Sequence, residues 1–300
     1  MRIGVVERFI AFSIAVAVIG AAAAAVTSVD ASTGARKPSC GPPLHKKGDR
    51  IWRCTFSANF NGTGLDRRKW LPLRTDTTGF TNGPTACFLD SPNNVSVSGG
   101  TLKLTARREA APFTCPNPLN GNFGTQYTAG MITTAGGRFS QTYGRFEVRA
   151  RILGARGRGV QTSLWLYPAG HAYGPWPASG EIDFAEMFSA FPDRVIPYVH
   201  YNARAPDPTV TNTRCRVRNL AKFHRYAVVW TRTLIRTIYD GRTCLTHRFR
   251  PAAPLAAPQP FDKPFFIALT QALGVQTNAF EAAVTPLPAT TEVDYVRAWK

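Results

Sequence analysis

Residues 181–186 read Glu-Ile-Asp-Phe-Ala-Glu and so place three carboxyl side chains within six positions. Acidic and apolar residues alternate here, and a period of two predicts a strand with one wet and one dry face. The chain contains only 18 acidic residues among 300 and carries a net charge of +18. Three like charges crowded together are electrostatically costly, so Glu181, Asp183 and Glu186 indicate a function.

The spacing of the three acids does not fit a regular strand. Glu181 and Asp183 share one face, but Glu186 lies five residues from Glu181 and would point to the opposite side. A helix would leave these two glutamates about 140° apart. One extra residue, a β-bulge near Ala185, turns all three acids to the same face. The apolar side chains that then face the core are Ile182, Phe184 and Met187.

Three acids on one strand face suit the hydrolysis of a glycosidic bond. This reaction needs a carboxylate nucleophile and a carboxylic acid that protonates the leaving oxygen, about 5 to 5.5 Å apart for retention. Asp183 between the glutamates would raise the pKa of a neighbour and keep one of them protonated. The alternatives are a carboxylate calcium site and a solvated strand face. Calcium prefers ligands from a flexible loop, whereas this segment alternates like a strand.

The hexapeptide resembles the bulged active-site signature E-x-D-x-x-E of glycoside hydrolase family 16, in the branch of the laminarinase-type endo-β-1,3-glucanases. Further similarity extends over about residues 54–300. The segments that carry it are 143–149, 164–168, 176–177, 223–230 and 293–299. The chain departs from the family pattern at 57–62, where Ser-Ala-Asn-Phe-Asn-Gly replaces the common Asp-Glu-Phe-Asn-Gly, and at 269–275.

The resemblance implies an all-β fold, a concanavalin-A-like jelly-roll sandwich of two curved antiparallel sheets with the substrate cleft on the concave sheet. It also implies Glu181 as nucleophile, Glu186 as acid/base and Asp183 as the assisting residue. The composition agrees with this fold, because short β-branched and aromatic runs are separated by Gly, Asn and Asp turn signals. Asp240-Gly241 is typical of a hairpin turn.

A polysaccharide cleft needs aromatic platforms for the apolar faces of sugar rings. Trp176 lies in a Pro-flanked loop just before Glu181, which predicts a position in the cleft. Trp165 sits in an apolar run, so core and cleft both remain open for it. The other tryptophans with strand-like surroundings are expected to be structural: Trp70, Trp230 and Trp299.

Polar residues on the expected neighbouring strands complete the candidate site. His200 follows a strand-like run, and we weigh a role in binding substrate or supporting the acid/base against that of a structural histidine. Thr270 and Gln271 are expected to line the cleft, with Gln271 as a substrate-binding residue. No cofactor is expected to be required. A structural calcium ion, which some relatives bind on the convex face, stays open.

The N-terminus predicts export. Arg2 and Arg8 precede an uncharged, mostly apolar stretch over 9–26 and small residues up to Ala31, which is the arrangement of a secretory signal. The apolar stretch just reaches membrane-span length, so an uncleaved anchor is the alternative. We therefore expect a signal peptide at 1–31, a lead-in at 32–50 and one catalytic domain at 51–300, located outside the cell.

Six cysteines in an exported chain favour disulfides over metal or redox chemistry. Six cysteines allow 15 connectivities, among which pairing of sequence neighbours is suggested. The suggested pairs are Cys40 with Cys54, Cys87 with Cys115, and Cys215 with Cys244.

The charge of +18 indicates either a generally basic surface or attraction to an anionic polysaccharide. Nucleic acid does not fit, because no recognition motif is present and export is expected. The expected partner is a polysaccharide substrate, with no stable membrane partner and a monomeric state.

Two function classes remain. The first is a secreted retaining endo-β-glycosidase acting on β-1,3-glucan, with transglycosylation or another β-glycan, neutral or anionic, as variants of the same chemistry. The second is a non-catalytic lectin-like glycan-binding protein, which would not need the three acids.

Overall fold

The structure is a computed structural model that describes residues 38–300 except 47, 49, 84–85 and 155–156. The predicted signal segment and its alternative as a membrane anchor therefore lie outside the described residues. Within the described part of the chain, no helix has the length and apolar character needed to cross a membrane.

Strands account for almost all regular structure in the described residues. They are β1 (Cys54–Ala58), β2 (Leu71–Pro72), β3 (Ala86–Phe88), β4 (Val95–Ser98), β5 (Thr101–Cys115), β6 (Phe123–Thr133), β7 (Gly144–Leu153), β8 (Val160–Pro168), β9 (Glu181–Phe188), β10 (Ile196–His200), β11 (His224–Trp230), β12 (Leu234–Tyr239), β13 (Arg242–Arg248), β14 (Phe265–Leu273) and β15 (Ala289–Trp299). The helical elements within the described residues are α1 (Thr75–Thr78) and two 3₁₀ turns, Pro208–Val210 and Gln276–Asn278.

The strands form two layers. One layer has the order β10-β9-β8-β14-β6, and the other has the order β5-β15-β7-β11-β12-β13, with the β5–β6 pairing joining them at one side. Neighbours in both layers are antiparallel, whereas the short β3 pairs with β6 in parallel. This curved antiparallel architecture confirms the all-β jelly-roll sandwich that the sequence predicted.

The main hydrophobic core lies between the two layers. Because strand side chains alternate between faces, each strand contributes every second residue to it. Strand β9, which carries the three acids, contributes Ile182, Phe184 and Met187 to this core, as the alternation of acidic and apolar residues predicted. Trp70, Trp230 and Trp299 are buried, which confirms that they are structural.

The predicted bulge is present in β9. On the β8 side Leu164 pairs with Ala185 and Trp165 pairs with Asp183, so Phe184 has no partner. On the β10 side the register also shifts between Ile196, opposite Glu186, and Tyr198, opposite Asp183. One extra residue in β9 therefore corrects the odd spacing of the acids.

Two further local predictions are confirmed. Asp240 and Gly241 have φ values of 46° and 85°, and positive φ at both central residues is what a two-residue hairpin turn between β12 and β13 requires. The three disulfides follow the suggested pairing of sequence neighbours. They join Cys40 to Cys54, Cys87 to Cys115, and Cys215 to Cys244.

Candidate active site

Strand register places the three acids on one face of β9. Glu181 and Asp183 lie opposite His200 and Tyr198, two residues apart on β10. Asp183 and Glu186 lie opposite Trp165 and Ser163, again two residues apart on β8. Because residues two apart on a strand share a face, all three acids project to the same side, away from the core. We call this side the acid-bearing face.

Glu181 begins β9 and is bound by the loop that precedes the strand. The indole nitrogen Nε1 of Trp176 donates a hydrogen bond to Glu181 Oε2 at 2.7 Å. The chain enters the strand through Gly180, whose φ of 84° is one that residues with a Cβ rarely adopt. A Cβ at this position would also lie 2.8 Å from the ring of Phe261. Glycine therefore permits the turn that brings Trp176 and Glu181 together.

Asp183 is buried and contacts a histidine from β10. His200 Nε2 lies 3.0 Å from Asp183 Oδ2. The imidazole is stacked on the ring of Tyr198, with centroids 5.0 Å apart and planes 8° from parallel, and it also approaches the indole of Trp176 at 5.5 Å. The structure thus brings His200 and Trp176, both predicted from the sequence, next to the acids.

Glu186 is held by two side chains of β8. Gln161 Nε2 and Ser163 Oγ both donate hydrogen bonds to the same oxygen, Oε1, each at 2.9 Å. Gln161 is itself oriented by Asn82, whose Nδ2 donates to Gln161 Oε1 at 3.2 Å. Oε2 of Glu186 accepts no hydrogen bond from the residues that the structure describes, so this oxygen is available to carry a proton. Sequence analysis missed Gln161 and Ser163.

The pKa values of all three acids are raised, mainly by burial. For Glu181 burial is the largest cause, and the charge of Asp183 adds to the rise in pKa, whereas His200 opposes it. For Asp183 burial and the charge of Glu186 raise the pKa well above its ordinary value. For Glu186 burial raises the pKa, but the hydrogen bonds from Ser163 and Gln161 counteract this rise. Burial thus shifts the pKa of each acid upward, which is the direction that an acid catalyst requires.

Trp165, which the sequence left open between core and cleft, lies on the acid-bearing face, since it pairs with Asp183. It is half-buried, and its Nε1 donates to Thr270 Oγ1 at 3.0 Å. Phe80 stacks against the indole with centroids 6.5 Å apart. Trp165 therefore stands beside the acids, partly covered by the chain segment before β3.

The prediction that Gln271 lines the cleft is wrong. In β14, Thr270 pairs with Ser163 and shares the acid-bearing face, whereas Gln271 pairs with Thr162 and points into the sandwich. Gln271 is fully buried. Its Oε1 accepts hydrogen bonds from Thr162 at 2.9 Å and from Thr291, in the opposite layer, at 2.7 Å. Gln271 thus connects the two sheets instead of contacting a ligand.

A group of three side chains offers possible metal ligands. One ligand atom each from Glu181, Asp183 and His200 lie within 4.8 Å of one another. Calcium takes six to eight oxygen ligands, whereas this group supplies two carboxylates and an imidazole nitrogen. The donor set therefore does not match calcium, and the calcium alternative gains no support from this site.

The fold and the site together define a β-sandwich with a paired-carboxylate centre of the kind that cleaves glycosidic bonds. Residues 83–285 match the family model described as "Glycosyl hydrolases family 16". The chain belongs to this family.

Two curated relatives and one solved structure illustrate the similarity. "Glucan endo-1,3-beta-glucosidase A1" of Niallia circulans is 33% identical over 260 residues, which cover 80% of this chain and 37% of that protein. "Beta-glucanase" of Rhodothermus marinus is 33% identical over 264 residues, covering 83% and 85% respectively. The X-ray structure of the laminarinase from Rhodothermus marinus superposes with a TM-score of 0.68 at 32% identity, covering 83% of this chain and 97% of that one. The chain thus spans little more than a third of the first relative.

Proposed function

We propose that this protein is an endo-acting β-glucan hydrolase that cleaves internal β-1,3 linkages with retention of configuration. Family membership and the names of the two glucanase relatives support this substrate class. The observation that carries the proposal is the bulge in β9. It gathers Glu181, Asp183 and Glu186 on one face, where each acid has different hydrogen-bond partners.

Different partners suit different roles in a double displacement. Glu181 acts as the nucleophile: its carboxylate attacks the anomeric carbon and forms a covalent glycosyl-enzyme. Glu186 acts as the acid: its free oxygen Oε2 gives a proton to the leaving oxygen while Gln161 and Ser163 hold Oε1. Glu186 then accepts a proton from water, and this water releases the sugar from Glu181.

Asp183 and His200 support these two glutamates. The charge of His200 lowers the pKa of Glu181 and so favours the ionised nucleophile, and the contact between His200 and Asp183 fixes the orientation of Asp183. Trp176 donates to Glu181 Oε2 and so orients the attacking carboxylate. The faces of Trp176 and Trp165 are the aromatic surfaces on which sugar rings would pack.

The enzyme acts outside the cytoplasm. The three disulfides are typical of an oxidising compartment, and the sequence of residues 1–31 has the features of a secretory signal.

The function is tested by reducing-sugar release from laminarin, mixed-linkage glucan, agarose, carrageenan and xyloglucan, measured for the wild type and for Glu181→Gln. We expect release from laminarin that is lost in the variant, with oligosaccharide products from internal cleavage. Proton NMR of the first products should show the β anomer. Binding of laminarin without hydrolysis by the wild type would replace this proposal with the lectin-like alternative.

The role of Glu186 is tested separately with a change in leaving group. Glu186→Gln should lower hydrolysis of laminarin by about 10²–10⁴-fold. It should still react with an aryl β-glucoside oligomer, because an acidic phenol leaves without a proton. Equal losses of kcat/KM on both substrates would contradict the assignment of Glu186 as the acid, because kcat/KM reports the first displacement and not the later step in which Glu186 acts as base.

A further inference from the structure

A cavity separate from the acid-bearing face lies just beyond the end of β10. It occupies about 610 Å³ between the chain segments 204–208 and 249–257, with Arg204, Phe249, Arg250, Pro251 and Leu255 among its lining residues. This volume is in the range of small-ligand sites, and the combination of apolar walls with a few polar groups is also typical of them. We call it the Arg204–Arg250 cavity.

Backbone contacts hold the two walls of the Arg204–Arg250 cavity together. Arg204 N donates to Arg250 O at 2.8 Å, and Ala252 N donates to Asn202 O at 2.8 Å. Ala203 and Pro251 form an isolated β-bridge between these contacts. The two arginines are therefore brought side by side by the backbone, and the cavity does not depend on a ligand to assemble it.

The charge exposed in this cavity is positive. Among the described residues, neither Arg204 nor Arg250 has a carboxylate oxygen within 4.0 Å. The one acid in the lining, Asp207, has a side chain that is only 7% exposed and lies 4.0 Å from His247 Nδ1. Asp207 Oδ1 also accepts hydrogen bonds from the backbone and the hydroxyl of Thr209. Asp207 thus faces inward, and neither exposed guanidinium group forms a salt bridge with a described residue, although the charge of Arg250 lowers the pKa of Asp207.

The cavity lies close to the candidate active site. Arg204 follows His200 by four residues, and His200 pairs with Glu181 across the β9–β10 ladder. Four residues span at most about 14 Å even when fully extended. A polysaccharide that crosses the acid-bearing face and passes over the edge strand β10 would reach the cavity within a few sugar units.

We propose that the Arg204–Arg250 cavity is an outer substrate subsite that binds a sugar unit bearing an anionic substituent, a sulfate ester or a carboxylate. The two guanidinium groups bind the anion with charge-assisted hydrogen bonds, while Pro251 and Leu255 contact the apolar face of the ring. The preferred substrate is then an anionic β-glycan. This inference rests on the proposed function, since it assumes that a β-glycan occupies the acid-bearing face.

The test compares three ligands with one backbone: laminarin oligosaccharides without substituents, sulfated, and carboxymethylated. Their binding to Glu181→Gln is measured by calorimetry at about 0.15 M salt, with and without Arg204→Gln/Arg250→Gln. We expect at least one anionic ligand to bind about tenfold more tightly than the neutral one, and the double substitution to remove this preference. Comparing the affinities of the sulfated and the carboxymethylated ligand shows which of the two anionic groups the cavity prefers.

Two controls separate this cavity from the generally basic surface. Arg218→Gln/Arg242→Gln removes the same charge from exposed arginines outside the cavity and should leave the preference intact. Arg204→Lys/Arg250→Lys keeps the charge but loses the bidentate geometry, so it should restore only part of the preference. In the otherwise wild-type enzyme, the control variant Arg218→Gln/Arg242→Gln should hydrolyse neutral laminarin at the wild-type rate, since neither arginine lines the cavity.

The outcomes distinguish this inference from the proposed function. Equal affinity for neutral and anionic ligands, or a preference that the control variant removes as fully as the cavity variant does, overturns the subsite. A wild type that cleaves no β-glucan overturns the proposed function instead. In that case, loss of the anionic preference in Arg204→Gln/Arg250→Gln still supports the cavity as a glycan-binding site.

Discussion

Trp176 is hydrogen-bonded to Glu181: the indole Nε1 lies 2.7 Å from Glu181 Oε2. The same side chain approaches the ring of His200 at 5.5 Å. A single tryptophan therefore connects the proposed nucleophile with the histidine that contacts Asp183. An N–H donor stabilises the ionised form of a carboxyl group and lowers its pKa, so Trp176 acts against the burial that raises the pKa of Glu181.

Trp176→Phe should move the acidic limb of the pH profile of kcat/KM to higher pH. Phenylalanine retains an aromatic surface but cannot donate to Glu181, so the pKa of Glu181 rises further and the nucleophile is protonated over a wider range. Trp165→Phe is the matched control, because its indole donates to Thr270. An acidic limb that moves equally in both variants, or in neither, would contradict the proposed role of the Trp176 N–H.

Gln161→Ala and Ser163→Ala should each move the alkaline limb of the same profile to higher pH. Both side chains donate to Glu186 Oε1 and lower the pKa of this acid, so their removal keeps Glu186 protonated at higher pH. Each loss should also reduce kcat/KM about fivefold, as expected for about 1 kcal/mol from one hydrogen bond. Gln126→Ala, which changes an amide in β6, provides the control. An unchanged alkaline limb would show that the two donors do not set the pKa of the acid.

Asp183→Asn should stabilise the fold near neutral pH while reducing activity. Burial and the charge of Glu186 raise the folded-state pKa of Asp183 well above its ordinary value. Below about 3.8 the carboxyl is neutral in both states, but as pH rises through the folded-state pKa the folded protein loses stability. Asparagine avoids this loss, which we expect to be ~1–2 kcal/mol.

Thermal unfolding at pH 7 and at about pH 3 checks this expectation. The variant should have the higher Tm at pH 7, and the difference should shrink at about pH 3. Asp193→Asn, which changes a surface acid paired with Arg216, should give no gain. A variant of Asp183 that is less stable than the wild type at pH 7 would show that the contact with His200 outweighs the cost of the buried charge.

Gly180→Ala should reduce both stability and activity. The φ of 84° is unfavourable for alanine, and the new Cβ would lie 2.8 Å from a buried phenylalanine ring. The expected loss is about 1–3 kcal/mol in the free energy of unfolding. Gly241→Ala is the control: its φ is 85°, but its Cβ would have no neighbour within 4 Å. Denaturant unfolding of both variants is the measurement. Equal losses of unfolding free energy in the two variants would show that the contact between the new Cβ and Phe261 costs no stability.

The direction of a side chain on a strand depends on whether two residues lie an odd or an even number of positions apart. Features that follow from this spacing alone could be predicted from the sequence. The odd spacing of Glu181 and Glu186 was sufficient to predict a bulge, because regular strands alternate strictly. The same rule shows why Gln271 was misplaced: Thr270 and Gln271 are adjacent, so they cannot both face one side. Gln161 and Ser163 share a face with Trp165 in β8, so they could have been predicted only if the face of Trp165 had been known.

For the inner strands, the pattern of apolar and polar residues could not show which side chains face the core and which face the cleft. All nine residues of β14 are buried, because a second hydrophobic cluster covers part of the sheet on the side away from the core. This cluster includes Phe88, Met131 and Phe266. A strand covered on both faces reads as a near-continuous apolar run. The neighbouring β8 is also mostly buried, so the apolar run around Trp165 could not assign this residue to one side. The segment that covers it, near Phe80, comes from a distant part of the chain.

The bulge makes one point of the active-site strand tolerant to a change in length. Without Ala185 the strand would read Glu-Ile-Asp-Phe-Glu, and its three acids would share a face with no irregularity. Without Ile182, in contrast, Asp183 would change sides relative to Glu181. We therefore expect a chain lacking Ala185 to retain measurable hydrolysis and a chain lacking Ile182 to lose it, as reducing-sugar assays of both would show. Removal of this one residue between Asp183 and Glu186 thus alters the separation of the two glutamates but leaves the direction of all three acids unchanged.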